Sequence, residues 1–377
     1  MFAATVIAMT VSVAEGLTLK NRYGLSLWSV LAPLLAVAAI GLGKPDGLVI
    51  AVVIGVLLGA AIMAAVYHAE ILAHFLGEPF GTLVLAVAVT VIEVSLIVSI
   101  MLGEGSQAQA LARDTLIAAI MITINGIVGI CLLAGGRRHH EQSYTQSGVS
   151  AGLAMLATLS VLTLVLPNFT TSAPGAFYNP KQLVFVAVVS LLIYGTFVMA
   201  QTIRHREDFL HHVEEAGDHA HEVPVQRSTA LAAGVVLVVS LVAVVLLAKT
   251  LSPTIEAAVA AAGAPRALVG IIIAALVLAP EGFAALRAAR ANRVQTSLNL
   301  AIGSALATIG LTIPSVALVA LMLGLDLELG LSMRSTVLLA LTLLVATLTL
   351  GRGRTTVVQG IIHLVIFATY LFTTIVP

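Results

Sequence analysis

Apolar runs of roughly 20 residues recur along this chain, and each is long enough to cross a bilayer as a helix. Only 10% of the residues are charged and 59% are hydrophobic, whereas soluble domains carry about a quarter charged residues. The chain therefore reads as an all-α polytopic membrane protein. A formal net charge of zero gives it nothing to offer a nucleic acid. The one cysteine, Cys131, lies in an apolar run and reads as a small buried hydrophobe; it excludes a disulfide framework and a cysteine-based zinc site. Residues 2–13 are apolar, but no A-x-A type cleavage site follows before Lys20, so no signal peptide is expected.

The runs predict eleven spans, at about 25–43, 47–66, 79–102, 114–135, 148–167, 181–201, 229–249, 267–287, 295–324, 333–350 and 356–376. Basic residues collect in cytoplasmic loops, which tests the count. Lys20, Arg22, Arg137, Arg138, Arg204, Arg206, Arg227, Arg287, Arg290, Arg293, Arg352 and Arg354 fall on the side of the N-terminus. Lys44, Arg113, Lys181, Lys249, Arg266 and Arg334 fall on the other, so the division is twelve against six. The N-terminus is expected in the cytoplasm and the C-terminus outside, with the bacterial inner membrane as the location.

The longest polar stretch, residues 204–222, separates spans six and seven and holds five of the ten histidines. It divides the chain into an N-terminal segment with the first helix (1–44), a first repeat (45–202), a linker (203–228) and a second repeat (229–377). The linker reads either as a solvated tether or as a regulatory metal or proton sensor built from His205, His211, His212, Glu214, Glu215, Asp218, His219 and His221.

Of eighteen acidic residues, only Glu93 and Glu281 lie deep within spans. Each is 12 to 15 residues into its helix, roughly 18–22 Å along the axis. Their separation, 281 − 93 = 188, is almost half of 377 residues, and they lie in spans three and eight, which run in opposite directions. This is the pattern of an inverted repeat with a site at the repeat interface. The following helix of each half adds polar side chains: Thr123 and Asn125 in one, Asn299, Ser304 and Thr308 in the other.

An ionised acid at a helix centre costs roughly 2.5–3.5 kcal/mol on insertion scales. No Lys or Arg lies at matching depth, so cations and protons remain to compensate. Paired carboxylates form a hard oxygen site suited to Ca2+, Na+ or K+, while like charge and desolvation favour protonation of the empty pair. A site that holds either a cation or protons is suited to exchange of one for the other. Pro280, directly before Glu281, predicts a break in that helix that frees carbonyls for the site. Glu78 and Asp114, at opposite mouths, are candidates for an entrance or proton relay. His68, His74 and His363 are isolated and read as interfacial anchors.

The strings GEPFG (77–81), VIEVSLI (91–97), RDTL (113–116), APEG (279–282), NLAIGSALATIGLTIP (299–314) and GRT (353–355) resemble the calcium/cation antiporter superfamily, in particular its ChaA-type bacterial branch of cation/proton antiporters. That resemblance implies one extra helix plus two inverted five-helix repeats, about 11 transmembrane helices in all. It implies exchange of Ca2+, and in this branch also Na+ or K+, for H+, without a cofactor, and essential glutamates at Glu93 and Glu281. The wider family reads G-N-A-x-E before each glutamate. Here Thr90 can still supply an oxygen one turn before Glu93, but Leu278 cannot supply one before Glu281, which leaves room for monovalent cations. A passive channel would favour a ring of identical helices with a continuous polar lining. An intramembrane enzyme lacks its motifs here, since neither H-E-x-x-H nor G-x-S-x-G occurs.

Overall fold

The computed structural model describes residues 24–41, 47–77, 80–104, 109–204, 225–265 and 267–376. Eleven helices occupy them, one for each predicted span. They are α1 (Leu27–Ile40), α2 (Leu48–Leu76), α3 (Phe80–Glu104), α4 (Leu111–His139), α5 (Gln146–Phe169), α6 (Pro180–Arg204), α7 (Arg227–Ala261), α8 (Ala267–Arg290), α9 (Val294–Leu323), α10 (Met333–Leu350) and α11 (Val357–Ile375). Nine are long and apolar enough to cross a membrane; α1 and the Ala86–Val98 stretch of α3 are shorter apolar segments. Residues 2–13, Glu78 and the linker residues His205, His211, His212, Glu214, Glu215, Asp218, His219 and His221 lie outside the described residues.

The helix surfaces are apolar where a soluble protein would be polar. Val184, Val188, Leu191 and Leu192 form an exposed stripe on α6, and Val337, Leu341, Leu344 and Leu348 form another on α10. Both repeat at helical spacing, so each helix turns one continuous hydrocarbon face outward. Water would penalise such faces and lipid does not. This is a multi-pass membrane protein.

The chain forms two compact units, residues 1–92 with 219–254 and residues 93–218 with 255–377. In the first, α2 packs against α1. Pro33 within α1 has no N–H for the Ser29 carbonyl one turn earlier. His68 of α2, fully buried, fills that vacancy with Nε2 at 3.1 Å from Ser29 O. The ring next to it, Tyr67, lies tilted against Trp28 with centroids 5.6 Å apart and meets the Ser26 hydroxyl at 3.2 Å. His68 is therefore a helix-joining residue and not the interfacial anchor expected from its isolation in sequence.

In the second unit, α4 packs along α8 and α11, and α9 along α5, α6 and α8. Glycines set two of these approaches. A Cβ on Gly360 would stand 2.5 Å from Leu133 N, and one on Gly310 would stand 2.6 Å from Tyr194 Cβ. Among the described residues of this unit, four stretches depart from regular α-helix: π turns at Met121–Ile127 in α4, Val161–Val165 in α5 and Ala200–Arg204 in α6, and a 3-10 turn at Leu166–Phe169 that ends α5.

The loops of this unit meet at two ends. At one, the strands β1 (Glu141–Ser143) and β2 (Arg354–Thr356) pair antiparallel, with Gln142 opposite Thr355. Gln142 donates to Ala289 O at 3.0 Å, and His139 Nε2 lies 3.0 Å from Arg290 O. The loops after α4, α8 and α10 therefore share an end, which gathers Arg137, Arg138, Arg287, Arg290, Arg293, Arg352 and Arg354. At the other, Arg113 bonds to Asp114, Glu328 and the Gly330 carbonyl, and Arg334 donates to the Thr373 carbonyl. The two groups of arginines divide as the charge pattern predicts.

Candidate cation site

Glu93 lies on α3 and is 4% exposed, so its carboxylate is cut off from bulk water. A carboxylate in that position needs donors or a cation. Thr312 of α9 donates to Glu93 Oε2 at 2.9 Å, and Thr308, one turn before it, also bonds to the carboxylate. Glu281 of α8 is close enough for its charge to act on Glu93. Both deep acids picked out from sequence belong to this unit, although 188 residues separate them (281 − 93).

Three elements position the group. On α9, Ser304, Thr308 and Thr312 recur every four residues and share one face; Ser304 is half-buried on it. Pro314 follows on the same helix, which still runs unbroken for 30 residues. On α8, Pro280 has no N–H for the Leu276 carbonyl, yet the helix continues from Ala267 to Arg290. The predicted break at Pro280 is therefore corrected to the loss of one hydrogen bond inside a continuous helix. Leu278, where the family pattern has an amide, is 2% exposed and presents only hydrocarbon.

The other predicted residues separate into groups. Thr90, one turn before Glu93 on α3, gives its proton to the Ala86 carbonyl at 2.8 Å. Asn125 lies in the π turn of α4 and bonds to Thr342, Met121 and His363 rather than to either glutamate. Asp114 is held by Arg113 at 2.9 Å beside Glu328, at the end of the unit opposite the strands. His74 is exposed and bonds to the Glu70 carbonyl at 2.7 Å. His363, expected as an interfacial anchor, is fully buried. Thr312 is the site residue that sequence reasoning missed. Its four-residue spacing from Thr308 is the signal that could have found it.

Chemically, the site offers hard oxygen donors: the buried Glu93 carboxylate, the buried Thr308 and Thr312 hydroxyls and, on α8, the half-buried Glu281 carboxylate. Two like charges there repel, and either a metal cation or protons relieve the repulsion.

A family profile described as sodium/calcium exchanger protein matches residues 47–203 and 232–376. The chain belongs to this family. The exchanger is 47% identical over 357 residues to the ionic transporter y4hA of Sinorhizobium fredii, covering 93% of this chain and 96% of that one. It is 36% identical over 308 residues to the sodium-potassium/proton antiporter ChaA of Escherichia coli, covering 81% and 83%. In fold it resembles the H+/Ca2+ exchanger CAX, with a TM-score of 0.70 at 17% identity over 91% of this chain and 86% of that one. The exchanger is thus a cation antiporter of the membrane, in a family of transporters rather than enzymes.

Proposed function

We propose that this exchanger exports a cation in exchange for H+ by alternating access, with Glu93 and Glu281 binding the cation or protons in turn. The observation that carries the reading is the dehydrated Glu93 carboxylate, with Thr312 donating to it at 2.9 Å and the Glu281 charge beside it. Leaving such a group ionised and uncompensated at mid-membrane costs roughly 2.5–3.5 kcal/mol, so an occupant is favoured at all times. Because metal and proton use the same oxygens, loading one releases the other. That coupling, with access to each side in turn, is antiport.

The proposed cargo is Ca2+, Na+ or K+. A second reading is a monovalent Na+(K+)/H+ antiporter with little Ca2+ transport. Buried Leu278 favours it, because it withholds an oxygen where strict calcium exchangers are expected to have an amide. The name of the ChaA relative, which specifies sodium, potassium and protons, also supports it. We further propose the inner membrane as the location, with a cytoplasmic N-terminus and two inverted repeats at 45–202 and 229–377. The seven arginines gathered at the β1–β2 end support this orientation.

The test is transport in everted vesicles with an imposed pH gradient, using each cation in turn on the wild type, Glu93→Gln and Glu281→Gln. Both variants are expected to insert normally and lose exchange. Full activity in either removes that glutamate from the site.

A further inference from the structure

His363 of α11 has no exposed surface. Burying a polar ring is costly unless its nitrogens are paired, and here both are. Nδ1 lies 3.0 Å from Asn125 Oδ1, and Nε2 lies 2.9 Å from the Thr349 hydroxyl. The proton positions follow from the neighbouring bonds. Thr342 gives its one proton to the Leu338 carbonyl at 2.8 Å, so it accepts from Asn125, 2.8 Å away. The sulfur of Met121, 3.6 Å from the same amide nitrogen, can only accept. Asn125 therefore turns its NH2 group to Thr342 and its carbonyl oxygen to His363, so Nδ1 donates to it; at Nε2 the Thr349 hydroxyl divides its one proton between the ring and the Val345 carbonyl, 2.7 Å away.

This chain of bonds ties α10 and α11 to α4 at the π turn 121–127. A π turn is an interruption in the α-helical ladder, frequent at functional sites, and side-chain bonds of this kind hold it in shape. The same turn packs against α8 and α9, the helices that carry Glu281, Thr308 and Thr312. Gly129 and Gly360 bring α4 and α11 into backbone contact beside the ring.

We propose that His363 is a positioning residue for cation exchange, holding Asn125 and through it the π turn of α4 against the helices that carry Glu281, Thr308 and Thr312. The inference rests on the reading of Glu93 and Glu281 as the exchange site. His363 bonds to neither glutamate, so it acts through α4.

Two variants separate this role from simple packing. His363→Leu keeps bulk and removes the donor; His363→Asn keeps a nitrogen donor where Nδ1 stands. Both are assayed in everted vesicles for half-saturating cation concentration and maximum rate, normalised to folded protein. In His363→Leu the half-saturating concentration is expected to rise on the order of tenfold, the factor one buried hydrogen bond carries in an equilibrium constant. The maximum rate is expected to stay within about twofold of wild type, and His363→Asn to recover the half-saturating concentration to within about threefold. Wild-type saturation in His363→Leu, an Asn variant as impaired as the Leu variant, or a loss that disappears on normalisation would each overturn the proposal. Glu93→Gln and Glu281→Gln run alongside. Full exchange in either would remove the glutamate reading, whereas lost exchange in both with unaltered His363→Leu kinetics would remove the positioning role alone.

Discussion

Thr312→Val is the substitution with the most to say about the site. The hydroxyl donates to Glu93 Oε2 at 2.9 Å and is fully buried, so water cannot replace it. Valine keeps the shape and removes the donor. A hydrogen bond to a charged group contributes about 1.5–3 kcal/mol. That bond stabilises the ionised carboxylate, the form that binds a cation, more than the protonated one. Its loss is therefore expected to raise the half-saturating cation concentration at fixed pH by roughly tenfold to about 150-fold. Thr308, which also bonds to Glu93, keeps the loss from being complete. The assay is cation-dependent proton flux in everted vesicles across a concentration series, with Thr312→Ser as the control that restores the hydroxyl. Wild-type saturation in Thr312→Val for Ca2+, Na+ and K+ alike would refute the reasoning, because a donor to an exchanging carboxylate cannot be silent.

Other substitutions probe the scaffold. His68→Leu leaves the Ser29 carbonyl without its donor and is expected to cost about 1–3 kcal/mol of stability, read as a lower unfolding temperature in detergent. Gly360→Ala brings a methyl within 2.5 Å of Leu133 N; it is expected to destabilise by about 1–3 kcal/mol or more, in the same measurement. Arg113→Gln removes contacts to Asp114 and Glu328, both partly exposed, so a loss of only about 1 kcal/mol is expected, shrinking as salt rises. Tyr144, between α4 and α5, is buried, which pushes its phenol up to about 12. The unfolded chain then loses this proton first, so its share of stability falls between about pH 10 and 12. Tyr144→Phe is expected to flatten that part of the alkaline stability profile.

The span positions were legible because lipid demands long apolar runs, and the positions of Arg113 and Arg137 at opposite ends followed from charge. Glu93 and Glu281 stood out because a carboxylate among hydrocarbon has so few innocent explanations. What stayed hidden has a common cause. In a helix that is apolar all round, no periodicity marks the inner face, so nothing signalled that His68 and His363 point inward. Their partners come from elsewhere: a carbonyl freed by Pro33 in another helix, and Asn125 in a π turn more than two hundred residues away (363 − 125 = 238). Pro280 looked like a break because its missing N–H is a local fact, but α8, packed along α4 and α9, continues through it. The pairing of β1 with β2 joins two three-residue strands from distant loops and leaves no local trace.

The most direct measurement is proton release on cation binding. Purified protein in weakly buffered detergent is titrated with Ca2+, Na+ and K+ while pH is recorded. If one set of oxygens serves both occupants, a transported cation releases protons saturably in the wild type and releases none in the Glu93→Gln/Glu281→Gln double variant. Cation binding without proton release, or release that persists in the double variant, would contradict it.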